Sequence, residues 1–259
     1  MSGRSPIKAL LACDLDGTLV AEDGSPAPGI VEALAELDAC GVPLVVCTGR
    51  PLHGATKATA VLRADPAAYV CYHGALVVDA ATGEWLRHLK IPVGVASLIV
   101  REAQGLGLAV TLYDGDERHE LAPDDAAAAH GLAASAGITR LVVSGDPPGV
   151  AAYLPGLAAS WGRSTRLERA GGGTVAILPL SADKGEGLRL VAARLAVPLA
   201  RVVACGDSSA DESLLRTAGV SIAVGDPPDA ALAGADEHVT QKDLAQVLRQ
   251  RLEPLLRLA

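Results

Sequence analysis

Two carboxylates, Asp14 and Asp16, stand two residues apart, directly after an apolar run from Ile7 to Ala12 broken only by Lys8, and directly before Gly17 and Thr18. A buried strand that stops at Asp-x-Asp-Gly delivers both carboxylates to one edge of a sheet. There Asp14 can serve as a nucleophile while Asp16 moves a proton. A polar turn after a strand is the plain alternative for the pair taken alone. A calcium loop is excluded. It requires glycine at its sixth position and glutamate at its twelfth, and counting from Asp14 these positions hold Leu19 and Ser25.

Two further apolar runs end in the same manner. Val42 to Cys47 leads into Thr48-Gly49-Arg50, and Arg201 to Cys205 leads into Gly206-Asp207. In an open α/β sheet, ligands bind at the carboxyl edge of the strands. Three such ends side by side give a cluster of carboxylates with a hydroxyl beside it, which repels itself unless a cation fills it. Hard oxygen donors, with water completing the shell, suit Mg²⁺. A metal that holds Asp14 close to a phosphoryl oxygen removes the repulsion between two anions. Thr48 and the backbone amides that follow it, Gly49 first, can hold the phosphoryl oxygens. Lys184, at the start of a helix, adds positive charge where the transferring group is most anionic. Taken singly, Thr48 and Asp207 also read as helix caps, Lys184 as a solvated lysine and Asp211 as an exposed helix carboxylate. Their joint occurrence, in this order and at strand ends, argues for one shared site.

The elements that must position these residues alternate. A helix is expected over 26–39, a strand over 42–47, a helix to about residue 62, and a strand over 69–72 that ends at His73-Gly74. From about residue 83 to 180 the style changes. Strands over 108–113 and 118–121 flank Asp114-Gly115-Asp116, a hairpin signal, and an alanine-rich helix is expected over 126–136. A strand over 138–143, a helix over 148–159 and strands over 163–169 and 174–178 follow, with Gly171-Gly172-Gly173 as a hairpin turn. The first style then returns: helix 187–195, strand 201–205, helix 209–218, strand 221–224, and an amphipathic helix over 244–259 disturbed by Pro254. The reading is α/β, a Rossmann-like, mostly parallel sheet core built from 1–82 and 182–259, with an inserted α+β cap domain over 83–181.

The totals exclude several classes of function. A formal charge of −8, with two Trp, four Tyr and no Phe, argues against nucleic acid as partner. No uncharged run approaches membrane-spanning length, so no membrane partner is expected. No signal-peptide pattern precedes the Asp motif. Cys13, Cys40, Cys47, Cys71 and Cys205 show no paired-ligand spacing and sit mostly in apolar runs, as reduced thiols of a cytoplasmic protein do.

Asp14-Leu15-Asp16-Gly17-Thr18-Leu19, Thr48-Gly49-Arg50, Lys184-Gly185 and Gly206-Asp207-Ser208-Ser209-Ala210-Asp211 together resemble the four ordered motifs of the haloacid dehalogenase-like superfamily. The insert after Tyr72-His73-Gly74-Ala75 resembles the cap of its subclass IIB, the Cof-like sugar phosphatases. The resemblance implies that Asp14 forms an aspartyl-phosphate and that Asp16 acts as general acid, then base. It further implies that Asp14, the backbone carbonyl of Asp16 and Asp207 bind Mg²⁺, that Asp211 supports them from behind, and that Thr48 and Lys184 hold the phosphoryl group. Two departures stand out. Ala210 replaces an asparagine usual in relatives, and His73-Gly74-Ala75 stands where many have Asn-Gly-Ala. His73 and the Asp211-Glu212 pair look more like the trehalose-phosphate phosphatases of the same subclass.

The expected function is a Mg²⁺-dependent phosphatase acting on a small phosphorylated metabolite, a sugar phosphate above all. A phosphomutase using the same aspartyl-phosphate is the alternative, and a non-catalytic sensor of a phosphorylated ligand is a further one. The cap is expected to close over the site by flexing linkers near 80–84 and 180–183 and to select the leaving group, with Tyr113, Asp114, Arg118 and Arg169 as candidate contacts.

Overall fold

The computed structural model describes residues 7–121, 131, 137–169, 172–226 and 228–257. The chain divides into two units, Met1–Arg87 with Asp183–Ala259, and His88–Ala182.

The first unit is built on a sheet that runs, among the described residues, in the order β13-β12-β11-β1-β2-β3-β4-β5. Its strands are β1 (Leu10–Cys13), β2 (Leu44–Cys47), β3 (Ala68–Cys71), β4 (Leu76–Asp79), β5 (Trp85–His88), β11 (Val202–Gly206), β12 (Val220–Val224) and β13 (Glu237–Val239). Pairing is parallel from β13 through β3, and β4 returns antiparallel to β3. β1, β2, β3 and β11 are buried along their whole length, which is why they read as unbroken apolar runs. The helices of this unit are α1 (Ile30–Ala39), α2 (Leu52–Val61), α5 (Lys184–Arg194), α6 (Glu212–Thr217) and α7 (Leu244–Arg257). Leu188, Val191 and Ala192 of α5 join Leu10, Val45 and Val70 in one apolar cluster. Gly187 lets α5 approach β3, because a Cβ there would collide with Val70.

The second unit holds β6 (Ala109–Asp114), β7 (Glu117–Leu121), β8 (Arg140–Ser144), β9 (Thr165–Arg169) and β10 (Thr174–Pro179), with α3 (Val93–Gly105) and α4 (Pro147–Trp161). Its sheet order is β7-β6-β8-β10-β9, antiparallel throughout. Val110, Leu112, Leu141 and Val143 alternate with more exposed neighbours and pack with Ile99, Val100 and Ala103 of α3 and Val150 and Leu157 of α4. This is the pattern of a sheet covered on one face.

The structure differs from the sequence reading in several places, each with a local cause. α1 starts at Ile30 rather than 26, because Gly29 is left-handed (φ 71°) and ends the preceding turn. α5 starts at Lys184, three residues earlier than expected, because the Asp183 side chain accepts from the Glu186 amide and caps the helix. The stretch expected as helix 209–218 opens as a 3₁₀ turn, Ser209–Asp211, before α6. β4, β5, α3 and β13 were not expected: polar residues interrupt β5 and β13, while β4 is a buried apolar run as long as β1 that follows the Tyr72–Gly74 turn directly. α7 continues through Pro254. Cys40 is exposed, unlike the other four cysteines. Apart from Gly131, the helix expected over 126–136 lies outside the described residues, as does part of the triple-glycine turn. No helix among the described residues is long and apolar enough to cross a membrane.

Candidate active site

β1 and β11 are neighbours, and the pairing continues one residue past β1, where the Asp14 amide donates to the Cys205 carbonyl at 3.0 Å. The chain then turns sharply. Leu15 and Leu19 are buried as anchors, the Val20 amide donates back to Leu15, and Gly17 adopts φ 80°. Glycine is required there twice over, for the left-handed backbone and because a Cβ would collide with the Asp207 carboxylate. Thr18 Oγ1 donates to Asp207 Oδ1 at 3.2 Å, so the loop after β1 holds the loop after β11 directly.

Lys184, the first residue of α5, is only 2% exposed. Its Nζ donates to Asp14 Oδ1 at 2.7 Å and to Asp211 Oδ1 at 2.6 Å. Asp211 is fully buried, and its other oxygen accepts from the amides of Asp207 and Ser208 and the Ser208 hydroxyl, each at 3.3 Å. Gly206 leaves room for this side chain, and Gly185 lets α5 meet α6 against the Ser213 carbonyl. Ligand-capable oxygens of Asp14, Asp207 and Asp211 lie within 4.8 Å of one another. Three carboxylates against the Lys184 ammonium would, once all are ionised, leave an excess of two negative charges in a largely buried, all-oxygen donor set. That is the charge and chemistry a hard divalent cation satisfies.

The electrostatics report the same crowding. Burial pushes the Asp14 carboxyl up to about 8, against the pull of Lys184 and with the help of Asp211 and Asp207. Asp207 is raised by burial and by Asp211. Burial alone would lower Lys184, but the two carboxylates outweigh it and hold the ammonium well above its ordinary value. Burial raises the Cys13 and Cys47 thiols, so neither is an activated nucleophile.

At the end of β2, the Thr48 hydroxyl accepts from the Arg50 amide at 3.1 Å, closing a turn within the loop rather than capping α2, whose N-cap is Pro51. Behind it Tyr72, His73 and Gly74 are all left-handed, with φ of 49°, 53° and 93°. Two such non-glycine residues in succession are a costly backbone, kept only when the surroundings over-determine it. Here the Tyr72 amide donates to the Arg50 carbonyl at 3.2 Å and the His73 amide to the Thr48 carbonyl at 3.0 Å. The His73 ring fills the space a Cβ on Gly49 would need, and Gly74 packs against the Asp183 backbone. The turn thus ties the Thr48 loop to the start of α5. Sequence reasoning assigned it no such part, although His-Gly directly after a buried strand was its available signal.

Asp16 is placed differently from Asp14. Its side chain is 55% exposed, and its two oxygens accept from Arg50, from Nε at 2.8 Å and from Nη2. Arg50 is raised, first by this hydrogen bond. Arg50 is the second residue to which sequence reasoning gave no role. The Ala210 methyl supplies no polar contact, and the neighbouring Ser209 amide is taken by Asp229 at 2.9 Å. Tyr113, Asp114, Arg118 and Arg169 all lie in the second unit. Tyr113 sits under Arg140 (5.9 Å to the ring centre), Asp114 pairs with Lys90, Arg118 pairs with Glu120, and Arg169 ends β9.

The structure is similar to a haloacid dehalogenase-like hydrolase from Bacteroides thetaiotaomicron (TM-score 0.81, 20% identity, covering 94% of this chain and 99% of that one). It is also similar to TM0651 from Thermotoga maritima (0.82, 19%, 93% and 97%) and to the HAD subclass IIB sugar phosphatase BT4131 (0.75, 18%, 94% and 98%). Two curated relatives, each named "Putative phosphatase", align over shorter stretches. One is from Streptococcus pyogenes serotype M6, 36% identical over 77 residues, 29% of each chain; the other is YxeH of Bacillus subtilis strain 168, 36% over 84 residues, 32% of this chain and 31% of YxeH. The aligned stretch therefore spans under a third of the length of these relatives. A family model described as haloacid dehalogenase-like hydrolase matches residues 11–128 and 132–247, nearly the whole sequence including every strand end discussed above. With that match, the chain belongs to the haloacid dehalogenase-like hydrolases.

Proposed function

We propose that the protein is a Mg²⁺-dependent phosphatase that hydrolyses a small phosphorylated metabolite, a sugar phosphate, through an aspartyl-phosphate on Asp14. The observation that carries this reading is the buried Asp14 carboxylate held at 2.7 Å by Lys184, with the Asp207 carboxylate beside it. Asp14, the backbone carbonyl of Asp16 and Asp207 would hold the metal. Asp211 is left to a supporting part, since its oxygens already accept from Lys184 and the Asp207-Ser208 turn. When bound, Mg²⁺ offsets the negative charge that otherwise keeps a phosphoryl group away from Asp14.

The remaining chemistry belongs to the chain. An Asp14 oxygen attacks phosphorus, the bond from phosphorus to the ester oxygen breaks, and Asp16 gives its proton to that oxygen, so a neutral alcohol departs. In the second half, Asp16 takes a proton from water as the water oxygen attacks phosphorus and the Asp14–phosphorus bond breaks. This releases phosphate and restores both carboxyl groups. An ammonium has three N–H donors, and with two directed at Asp14 and Asp211 the third is left for a phosphoryl oxygen. The Thr48 hydroxyl, already accepting from Arg50, has its own hydrogen to donate, and the Gly49 amide lies next to it. The inserted unit His88–Ala182 is the proposed selector of the leaving group. The sugar-phosphate assignment is supported by the fold shared with BT4131, and a cytoplasmic location by five free cysteines.

The test is phosphate release from a panel of phosphorylated sugars and other small phosphate esters, with Mg²⁺ and with a chelator in its place. Metal-dependent release from at least one sugar phosphate is expected. Isomerised sugar phosphate without free phosphate would make the protein a mutase. Ligand binding without any turnover would make it a sensor.

A further inference from the structure

The contact between Arg50 and Asp16 carries a consequence for how the proton donor is held. The Arg50 backbone is fixed on both sides, its amide donating to Thr48 Oγ1 at 3.1 Å and its carbonyl accepting from the Tyr72 amide at 3.2 Å. From this anchored loop its guanidinium reaches across 34 residues of sequence and engages both oxygens of Asp16 in a fork, while Nη1 lies 3.4 Å from the Gly54 carbonyl. Apart from this fork little restrains the Asp16 carboxyl, which is more than half exposed. An exposed ion pair adds little to stability. A planar bidentate fork does, however, fix the orientation of a carboxyl group, and a lysine cannot reproduce it.

We infer that Arg50 is the positioning residue for Asp16: its fork anchors the carboxyl group and yields one of its two bonds while keeping the other, so that the freed oxygen carries the proton. In the first half-reaction that proton passes from Asp16 to the ester oxygen as its bond to phosphorus breaks. In the second, the same oxygen receives a proton from the attacking water. Because Arg50 and Thr48 share one turn, the loop assigned to the phosphoryl group also sets where the donor stands.

The inference rests on the proposed roles of Asp14 and Asp16, and leaving-group dependence separates the two. An aryl phosphate such as p-nitrophenyl phosphate expels a stable phenolate and needs little protonation. An alkyl phosphate such as glycerol phosphate needs the proton. Replacing Arg50→Ala is expected to lower the first-turnover rate of leaving-group release by about 30- to 100-fold for the alkyl ester and by less than about 3-fold for the aryl ester, the scale of a misplaced general acid, whereas the later hydrolysis of the aspartyl-phosphate is common to both esters and should slow equally. The substrate concentration giving half the maximal first-turnover rate should stay within about twofold for both esters, since ground-state binding is untouched. Arg50→Lys keeps the charge and the side-chain stem, and serves if the alanine variant folds poorly; it should show the same selectivity at about 10-fold. Asp16→Asn should show that selectivity more strongly. An equal first-turnover loss on both esters, or a loss carried by the half-saturating concentration of that turnover, would make Arg50 a phosphoryl ligand or a structural residue and overturn the inference, while the phosphatase reading would stand. If the wild-type protein hydrolyses neither ester nor any other, that reading falls and this one with it.

Discussion

Lys184 in the first unit and Lys90 in the second each donate to an aspartate, at 2.7 and 3.1 Å, and the two pairs are built on opposite principles. Lys184 is 2% exposed and lies between two carboxylates that are themselves buried, brought together from three separate stretches of chain. Lys90 and Asp114 are 38% and 24% exposed. Their neighbourhood is held by neutral groups: Thr139 Oγ1 accepts from the Gly115 amide at 2.8 Å and meets His88 Nε2 at 2.6 Å. Taking three charges out of water costs several kcal/mol per ion, and their attraction returns that only with good geometry. A fold needing only stability is served as well by apolar packing, which the second unit uses. The buried triad therefore marks the place where the chain accepts instability for chemistry.

The strongest way to break this contrast is Asp14→Asn. Turnover of any phosphate ester should fall by at least about 10³-fold, because the attacking oxygen is lost, while circular dichroism and the thermal midpoint stay near wild type or rise slightly. Wild-type-like phosphate release would remove Asp14 from the chemistry and leave the triad unexplained.

Next in size is Lys184→Met, which strands two buried carboxylates and should cost about 3 kcal/mol in urea unfolding of the metal-free protein. The matched change Lys90→Met should cost less than about 1 kcal/mol. Equal shifts for the two would erase the distinction between the units. Gly17→Ala forces a left-handed alanine and pushes the new methyl into Asp207. The backbone alone should cost about 1–2 kcal/mol, and phosphatase activity should fall further than stability does, since Asp207 must move.

The two units also differ in pH dependence, and the effects run in opposite directions. Asp14 is raised from 3.8 to about 8 in the metal-free fold, so between those values the folded chain keeps a proton that the unfolded chain has lost. Its contribution is therefore complete at low pH and disappears as pH rises through about 8. His88 is lowered from 6.5 by burial and then by Lys90, against Asp114. The unfolded chain binds that proton first, so its contribution is present above 6.5 and is lost as pH falls below it. Hydrogen exchange followed separately in each unit should show protection near Asp14 decreasing toward alkaline pH and protection of the Gly115 amide decreasing toward acid. Slopes of the same sign in both units would contradict the assignment.

Much of the fold is legible in the sequence, because β1, β2, β3 and β11 are buried on both faces and appear as plain apolar runs. Asp14, Thr48 and Asp207 stand where those runs stop, and a carboxylate that ends a buried strand has few places to be except the sheet edge. The two edges of the first unit's sheet are less legible. β5 and β13 are short and carry polar side chains, and local pattern cannot tell such edge strands from loop. The parts of the site that local pattern missed are the ones made by contact rather than by type. Arg50 reads as an ordinary arginine before a proline, and nothing near it in sequence announces Asp16. Tyr72 and His73 carry no glycine-like signal for their left-handed backbone; the carbonyls of Thr48 and Arg50 opposite them accept from their amides.

By itself, then, the sequence determined which side chains have chemistry to offer and that they follow buried strands, since both depend on residue type and short-range periodicity. Tertiary structure alone decided that one ammonium is shared between Asp14, 170 residues away, and Asp211, and that Arg50 grips Asp16. Those contacts depend on β11, β1 and β2 being neighbours, an order set by packing the whole sheet and written in no single stretch of the chain.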